Sequence, residues 1–201
     1  GCFAIAATKE EAVAKAREAV NSYVEWLRAH GEIVEEGAVE VEAAEAVPVS
    51  GRFPGTPGDQ VARFGSDLEA VTDEEIERAL RWLEWSRAEL AEMFAGVPYE
   101  ELDWPLGQEW TLRAILQHVA SAEAWYLRHL EEVASHHLPS TLGAVRSWAQ
   151  VRLRAMTPEE RSALRVHDGE EWTARKVLRR FLEHEAEHMG QLREMLEAWR
   201  L

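Results

Sequence analysis

The spacing of apolar residues predicts one N-terminal helix, with a short strand on either side, followed by four further helices. In the first helix, apolar residues recur every three to four positions from Ala12 to Leu27, after a capping pair of Thr8 and Glu11. Residues 2–7 are mainly apolar, and residues 39–49 begin with strict alternation, so both predict strands. Residues 1–49 are therefore predicted to form a small β-α-β segment.

A run rich in glycine and proline separates this segment from the rest of the chain. Residues 50–59 contain three Gly and two Pro, which is typical of a linker, and we place the linker over residues 50–71. The apolar period then predicts helices over residues 72–96, 111–135, 140–154 and 173–199, with a helical turn near residue 157. These features predict a mainly α protein in which residues 72–201 form a four-helix bundle.

A short motif occurs twice, as GQEWTLR at residues 107–113 and as GEEWTAR at residues 169–175. In both copies the threonine, Thr111 or Thr173, is placed to cap a helix. Shared capping chemistry alone accounts for the repeat. It nevertheless predicts that the second and fourth bundle helices enter the bundle in the same way.

Three histidines are predicted to hold a metal ion. His184 and His188 lie four residues apart, on one face of the last helix, and neutral imidazoles at that spacing can bind a divalent ion. His118 is the best third ligand because it lies mid-helix among small residues that leave space around it. The other histidines are expected near solvent: His30, His129, His136, His137 and His167.

Residues 184–188 also satisfy the HExxH pattern of zinc proteases. The extended pattern requires Gly at position 191 and His at position 194, where this chain has Gln191 and Glu194. No substrate-binding strand is evident upstream of the motif. A metalloprotease is therefore a remote alternative.

Composition narrows the classes of partner. The formal net charge of −15 disfavours nucleic acid, and no apolar run is long enough to cross a membrane. The densest basic cluster, predicted to be a solvated helix face, comprises Arg175, Lys176, Arg179 and Arg180. Cys2 is the only cysteine, so nothing indicates an oxidising compartment, and we expect a cytoplasmic protein.

The first 50 or so residues resemble the HicB-like antitoxin fold. The resemblance is carried by Gly1 to Phe3, Thr8 with residues 10–12, Trp26-Leu27 and Gly31-Glu32. It implies that the segment completes its sheet with the rest of the chain or with a second copy. The DNA-binding extension of that family has no counterpart here, so an antitoxin function is not implied.

Residues 70–201 resemble the DinB/YfiT-like superfamily of metalloenzymes. The matching pieces are Trp110-Thr111 with residues 115–120 (ILQHVA), Trp172-Thr173, and His184-x3-His188 with residues 189–192 (MGQL). The resemblance implies an up-down-down-up bundle, frequently a homodimer, that holds one divalent ion through His118, His184 and His188.

The same resemblance implies a reaction type. Characterised relatives are thiol-dependent S-transferases and maleylpyruvate isomerases, so we expect a low-molecular-weight thiol cosubstrate, a small electrophile and a Zn, Ni or Fe ion. Pocket candidates are Gln191, Glu185, Glu187, Ser121 and Trp125, of which Gln191 has the best one-face geometry with His188. The alternative is a non-enzymatic metal-binding or interaction module with a HicB-like oligomerisation segment.

Overall fold

The computed structural model of the chain describes residues 4, 6–34, 42, 44–48, 61–105, 110–131 and 141–200. Its helices are α1 (Lys9–Ala29), α2 (Asp73–Met93), α3 (Leu112–Arg128), α4 (Leu142–Arg154), α5 (Pro158–Ser162) and α6 (Ala174–Trp199). Two 3-10 turns (Gly65–Leu68 and Tyr99–Asp103) and a hairpin of β1 (Arg165–His167) and β2 (Glu170–Trp172) complete the described elements. Among the described helices, none combines the length and apolarity that crossing a bilayer requires.

A threonine caps each of these six α-helices. The side chain of each one accepts a hydrogen bond from the backbone N–H three residues further on: Thr8, Thr72, Thr111, Thr141, Thr157 and Thr173. At Thr72 the side chain of Glu75 accepts a hydrogen bond from the backbone N–H of the cap, which completes a capping box. The helix starts are therefore set by local sequence.

Helices α2, α3, α4 and α6, which we call the four bundle helices, form the predicted bundle. Helix α6 packs against α2 and α3, and α4 packs against the same two helices. Their directions follow from contacts between pairs of residues. Helices α2 and α6 are joined by Glu75 with Arg175 and Glu89 with Arg193, and α3 and α6 by Tyr126 with Arg180. Helices α3 and α4 are joined by Glu123 with Arg146 and Leu130 with Arg152, and α2 and α4 by Leu83 with Arg146 and Glu77 with Arg154. These pairs make α2 parallel to α6, α3 antiparallel to α6, and α4 parallel to α3. The bundle is thus up-down-down-up.

Two apolar clusters fill the bundle. The larger includes Leu83, Leu127 and Trp172, and the smaller includes Leu112 and Leu192; all five side chains are fully buried. Along α6, the larger cluster ends at Phe181 and the smaller begins at Met189. The helical turn that carries His184 and His188 lies between the two.

Four charged side chains, one from each of the four bundle helices, meet inside the bundle. Arg146 of α4 binds Glu123 of α3 (2.8 Å) and Glu185 of α6 (2.5 Å). Arg87 of α2 binds the same two carboxylates at 3.0 and 2.8 Å. The two positive and two negative charges balance, so each buried charge has partners. We call Arg87, Glu123, Arg146 and Glu185 the central ion-pair network.

Helix α1 attaches to the outer side of α2. The indole N–H of Trp26 donates to Glu89 at 2.7 Å, and the ring of His30 stacks on Trp85 with centroids 5.0 Å apart. The carboxylate of Glu32, just after the helix, pairs with Arg81. The predicted helix is therefore present, and it packs against the bundle. The resemblance to the HicB-like fold stays a prediction.

The hairpin lies between the helical turn near residue 157 and the last helix, where the sequence predicted no regular element. Asp168 and Gly169 both have positive φ, 52° and 81°, as a two-residue turn between antiparallel strands requires. The Asp-Gly pair was the available signal, but each strand is only three residues long and mostly polar. His167, expected near solvent, is half-buried in this hairpin.

Other expectations differ at element boundaries. Residues 4, 6, 7, 42 and 44–48 belong to the predicted strands but adopt no strand, while the rest of both strands lies outside the described residues. Helix α3 ends at Arg128, well before residue 135, because His129 caps it and stacks on Trp172. The domain boundary stays a prediction, although Val61 and Val71 of the predicted linker are buried in the core.

Replacing Arg146 with Met tests the central ion-pair network. We expect the free energy of unfolding to fall by about 3–5 kcal/mol, because Glu123 and Glu185 lose a buried partner. Urea unfolding measures the change. Arg154→Met is the matched control, since Arg154 lies on the same helix but pairs with Glu77 at the surface, and we expect little effect. Equal losses in the two variants would contradict the assignment.

Candidate metal centre

The three histidines predicted as ligands come together between α3 and α6. The Nε2 atom of His184 lies 3.1 Å from Nε2 of His118 and 3.2 Å from Nε2 of His188. One ligand nitrogen from each residue lies within 4.8 Å of the others. Because α3 and α6 are antiparallel, the middle of α3 meets the turn of α6 that carries the other two imidazoles.

These distances fit coordination of a single ion. Zinc binds imidazole nitrogen at about 2.0–2.1 Å, so two nitrogens at tetrahedral positions lie about 3.3 Å apart. The two Nε2 separations, 3.1 and 3.2 Å, are close to that value. Among the described residues, this group of possible metal ligands contains the three histidines and no carboxylate or thiol. The donor set therefore leaves a position for a further ligand.

Burial keeps these imidazoles neutral. Desolvation, with a smaller effect from His188, lowers the pKa of His118 to about 4, and desolvation together with both neighbouring histidines lowers that of His184 to about 2. Burial also lowers the pKa of His188. A neutral imidazole presents a lone pair, so the site is ready to accept a cation at neutral pH. His184 is buried, while His118 and His188 are half-exposed, which opens the site on their side.

Neighbouring side chains orient two of the rings. Oε1 of Gln191 lies 3.0 Å from Nδ1 of His188, and because this oxygen can only accept, Nδ1 donates and the lone pair is on Nε2. The indole of Trp110 meets the ring of His118 edge to face, with centroids 4.8 Å apart. Gln191, a predicted pocket candidate, therefore lies beside the candidate metal centre, and Trp110 is a neighbour that was not among those candidates.

Glu185, the glutamate of the HExxH pattern, has its carboxylate in the central ion-pair network. It accepts hydrogen bonds from Arg87, Arg146 and Ser86. Burial raises its pKa, but the charges of Arg146 and Arg87 lower it more, and the carboxylate stays ionised. With both oxygens engaged by arginines, Glu185 is not available as the base of a metalloprotease. Its carboxylate therefore joins α6 to α2 and α4.

The remaining pocket candidates have different surroundings. Glu187 is half-buried, its Oε2 atom finds no hydrogen-bond partner among the described residues, and burial raises its pKa. Ser121 is exposed, one turn from His118. Trp125 is also exposed on one side, and its ring packs against Trp172.

The basic cluster on α6 is not the solvated face that the sequence predicted. Arg180 is buried beside the centre and donates to Glu183 and to the hydroxyl of Tyr126, whose ring lies against His184. Lys176 is fully buried and binds Glu170 at 2.6 Å. Local sequence carries a weak signal for this burial, because both residues fall on the apolar stripe of α6.

The fold and the three histidines define the class of this protein: a helical bundle with a candidate metal centre between two facing helices. The family model of the DinB superfamily matches residues 82–192, more than half of the chain, so the protein belongs to the DinB superfamily. No curated protein and no solved structure matches the chain.

The stability of the metal-free protein should fall as the pH is lowered from 7 to about 5. Burial lowers the pKa of His129 from 6.5 to about 4, so the unfolded state binds more protons between these values. His118 and His184 act in the same direction. Urea unfolding at several pH values measures the slope. His129→Gln should reduce the slope without abolishing it, and an unchanged slope would contradict the role of His129.

Gln191→Ala should weaken binding of a divalent ion about 10- to 100-fold, because the ring of His188 loses the acceptor that orients it. Titration with Zn²⁺ against a competing chelator measures the affinity. Gln191→Glu keeps an acceptor at this position and serves as the control. Equal affinities for wild type and Gln191→Ala would show that the contact does not support the site.

Proposed function

We propose that the protein is a divalent-metal-dependent enzyme that brings a low-molecular-weight thiol to a small electrophile, as a thiol S-transferase or an isomerase. The observation that carries the proposal is the convergence of three neutral imidazoles, with half-exposed His118 and His188 on the open side. Catalysis requires such an open position, whereas a structural zinc site is closed by a fourth protein ligand.

The residues of the site support this chemistry. His118, His184 and His188 would hold the ion, and Gln191 would keep His188 in the required tautomer. A bound Zn, Ni or Fe ion would favour the thiolate form of a coordinated thiol at neutral pH. Because all three ligands are neutral, the charge of the ion is not cancelled by the protein and remains available to the sulfur.

The position of Glu185 also favours thiol transfer over hydrolysis. A hydrolase of the HExxH type needs that glutamate to activate water, but here it binds Arg87 and Arg146. Thiol transfer does not need a protein nucleophile, because the cosubstrate supplies the sulfur. A cytoplasmic location would suit this reaction, since that compartment keeps small thiols reduced. A homodimer is part of the proposal, from the family resemblance.

Metal analysis of purified protein tests the site first. We expect the wild type to bind one divalent ion per chain, and His118→Ala and His188→Ala to lose most of it, because two imidazoles hold an ion weakly. His30→Ala is the control, since His30 lies at the C-terminal end of α1, against Trp85. Equal metal content in all variants would overturn the three-histidine site.

Cobalt-substituted protein then tests the thiol. Addition of a small thiol should produce a sulfur-to-cobalt charge-transfer band in wild type and none in His118→Ala. A screen of thiols and electrophiles with metal-loaded protein would follow. Metal binding without a thiolate band or turnover would favour the alternative of a metal-binding or interaction module.

A further inference from the structure

A second concave region lies between α1, α2 and α6, on the face of α6 opposite the histidines. Its volume is about 370 Å³. The walls are Tyr23 and Trp26 of α1, Trp82 of α2 and Met189 of α6, and the small side chain of Ala19 faces them. At 100° per residue, Met189 and Arg193 lie on the opposite side of α6 from His184 and His188. The cavity is therefore separate from the candidate metal centre.

The way in which α1 is attached explains why space remains beside it. Near the C-terminal end of α1, Trp26 binds Glu89, and His30, which caps the helix, stacks on Trp85. One turn or more before them, α1 presents Ala19 and Ser22 to the cavity. These side chains are too small to fill the gap between α1 and α6, whereas larger ones would close it.

The charged side chains that line the cavity already have partners. Glu89 binds Arg193 at 3.1 Å and accepts from Trp26. Glu183 binds two arginines of α6, and Ser86 donates to Glu185. A charged ligand would thus meet no free opposite charge to replace its hydration, which would make its burial costly. A neutral ligand meets no such cost.

The walls also favour a flat ligand. Tyr23 and Trp26 stack with centroids 5.5 Å apart, and Tyr23 meets Trp82 edge to face at 5.9 Å. Aromatic rings and a methionine thioether make favourable contacts with a further aromatic ring. A cavity of about 150 Å³ holds benzene, so one of about 370 Å³ holds a molecule of two or three rings.

We propose that this cavity is a binding site for a neutral, flat aromatic molecule of two or three rings, separate from the histidine centre. The site would provide apolar and aromatic contact without charge recognition.

A matched pair of fluorescent probes tests the proposed chemistry. N-phenyl-1-naphthylamine is neutral, and 1-anilinonaphthalene-8-sulfonate has the same rings with an added negative charge. We expect saturable binding of one neutral probe per chain, with affinity at least about tenfold higher than for the anionic probe. Absence of saturable binding, or equal affinity for both probes, would overturn the proposal.

Two variants of α1 locate the site. Ala19→Phe should reduce affinity for the neutral probe at least about tenfold, because the new ring occupies the cavity. Ala14→Phe places the same side chain on an exposed position of the same helix and should bind as wild type does. Circular dichroism and thermal unfolding check that both variants fold. Equal probe affinity in the two variants would place the probe elsewhere and overturn the proposal.

Independence from the metal centre is tested with His118→Ala, which should bind the neutral probe as wild type does. Loss of probe binding in this variant would assign the probe to the histidine centre. Retained probe binding together with lost metal binding would show that the two sites are separate, so either proposal can fail without the other.

Discussion

The central ion-pair network constrains how the four bundle helices pack. A buried charge without a partner is costly, so Arg87, Glu123, Arg146 and Glu185 must meet, and each comes from a different helix. Their meeting fixes the rotation of α6, because Glu185 must face α2 and α4. The adjacent His184 then faces α3, where it meets His118. A structural ion pair thus positions the candidate metal centre.

The HExxH pattern therefore has a different meaning here from its meaning in a protease. Its two histidines meet a third imidazole, whereas its glutamate connects α6 to α2 and α4. Three neutral imidazoles, the hydrogen bond between His188 and Gln191, and the half-exposed positions of His118 and His188 describe a centre that can accept a cation. Arg180 and Tyr126, behind His184, add a second buried polar contact that supports the same turn of α6.

The N-terminal helix extends the bundle on the side away from the histidines. It is attached through Trp26, His30 and Glu32, and it leaves an aromatic-walled cavity near Tyr23. The two faces of α6 thus adjoin two different sites. Met189 lines the cavity, and the preceding residue, His188, belongs to the centre. One helix provides both because each site uses only one side of it.

Local sequence was sufficient for the starts of the helices and for the placement of His184 and His188 on one face of α6. The threonine caps act within one turn, and the position of His118 follows from helical spacing once Thr111 and Thr173 define comparable helix starts. The pairing of the buried charges could not be predicted, because the partners of Glu185 and Arg180 lie on other helices, far away in the chain. The hairpin and the buried position of Lys176 had only weak local signals, an Asp-Gly pair and a place on the apolar stripe of α6. Periodicity indicates which face of a helix is buried, but packing between helices selects which charges are paired there.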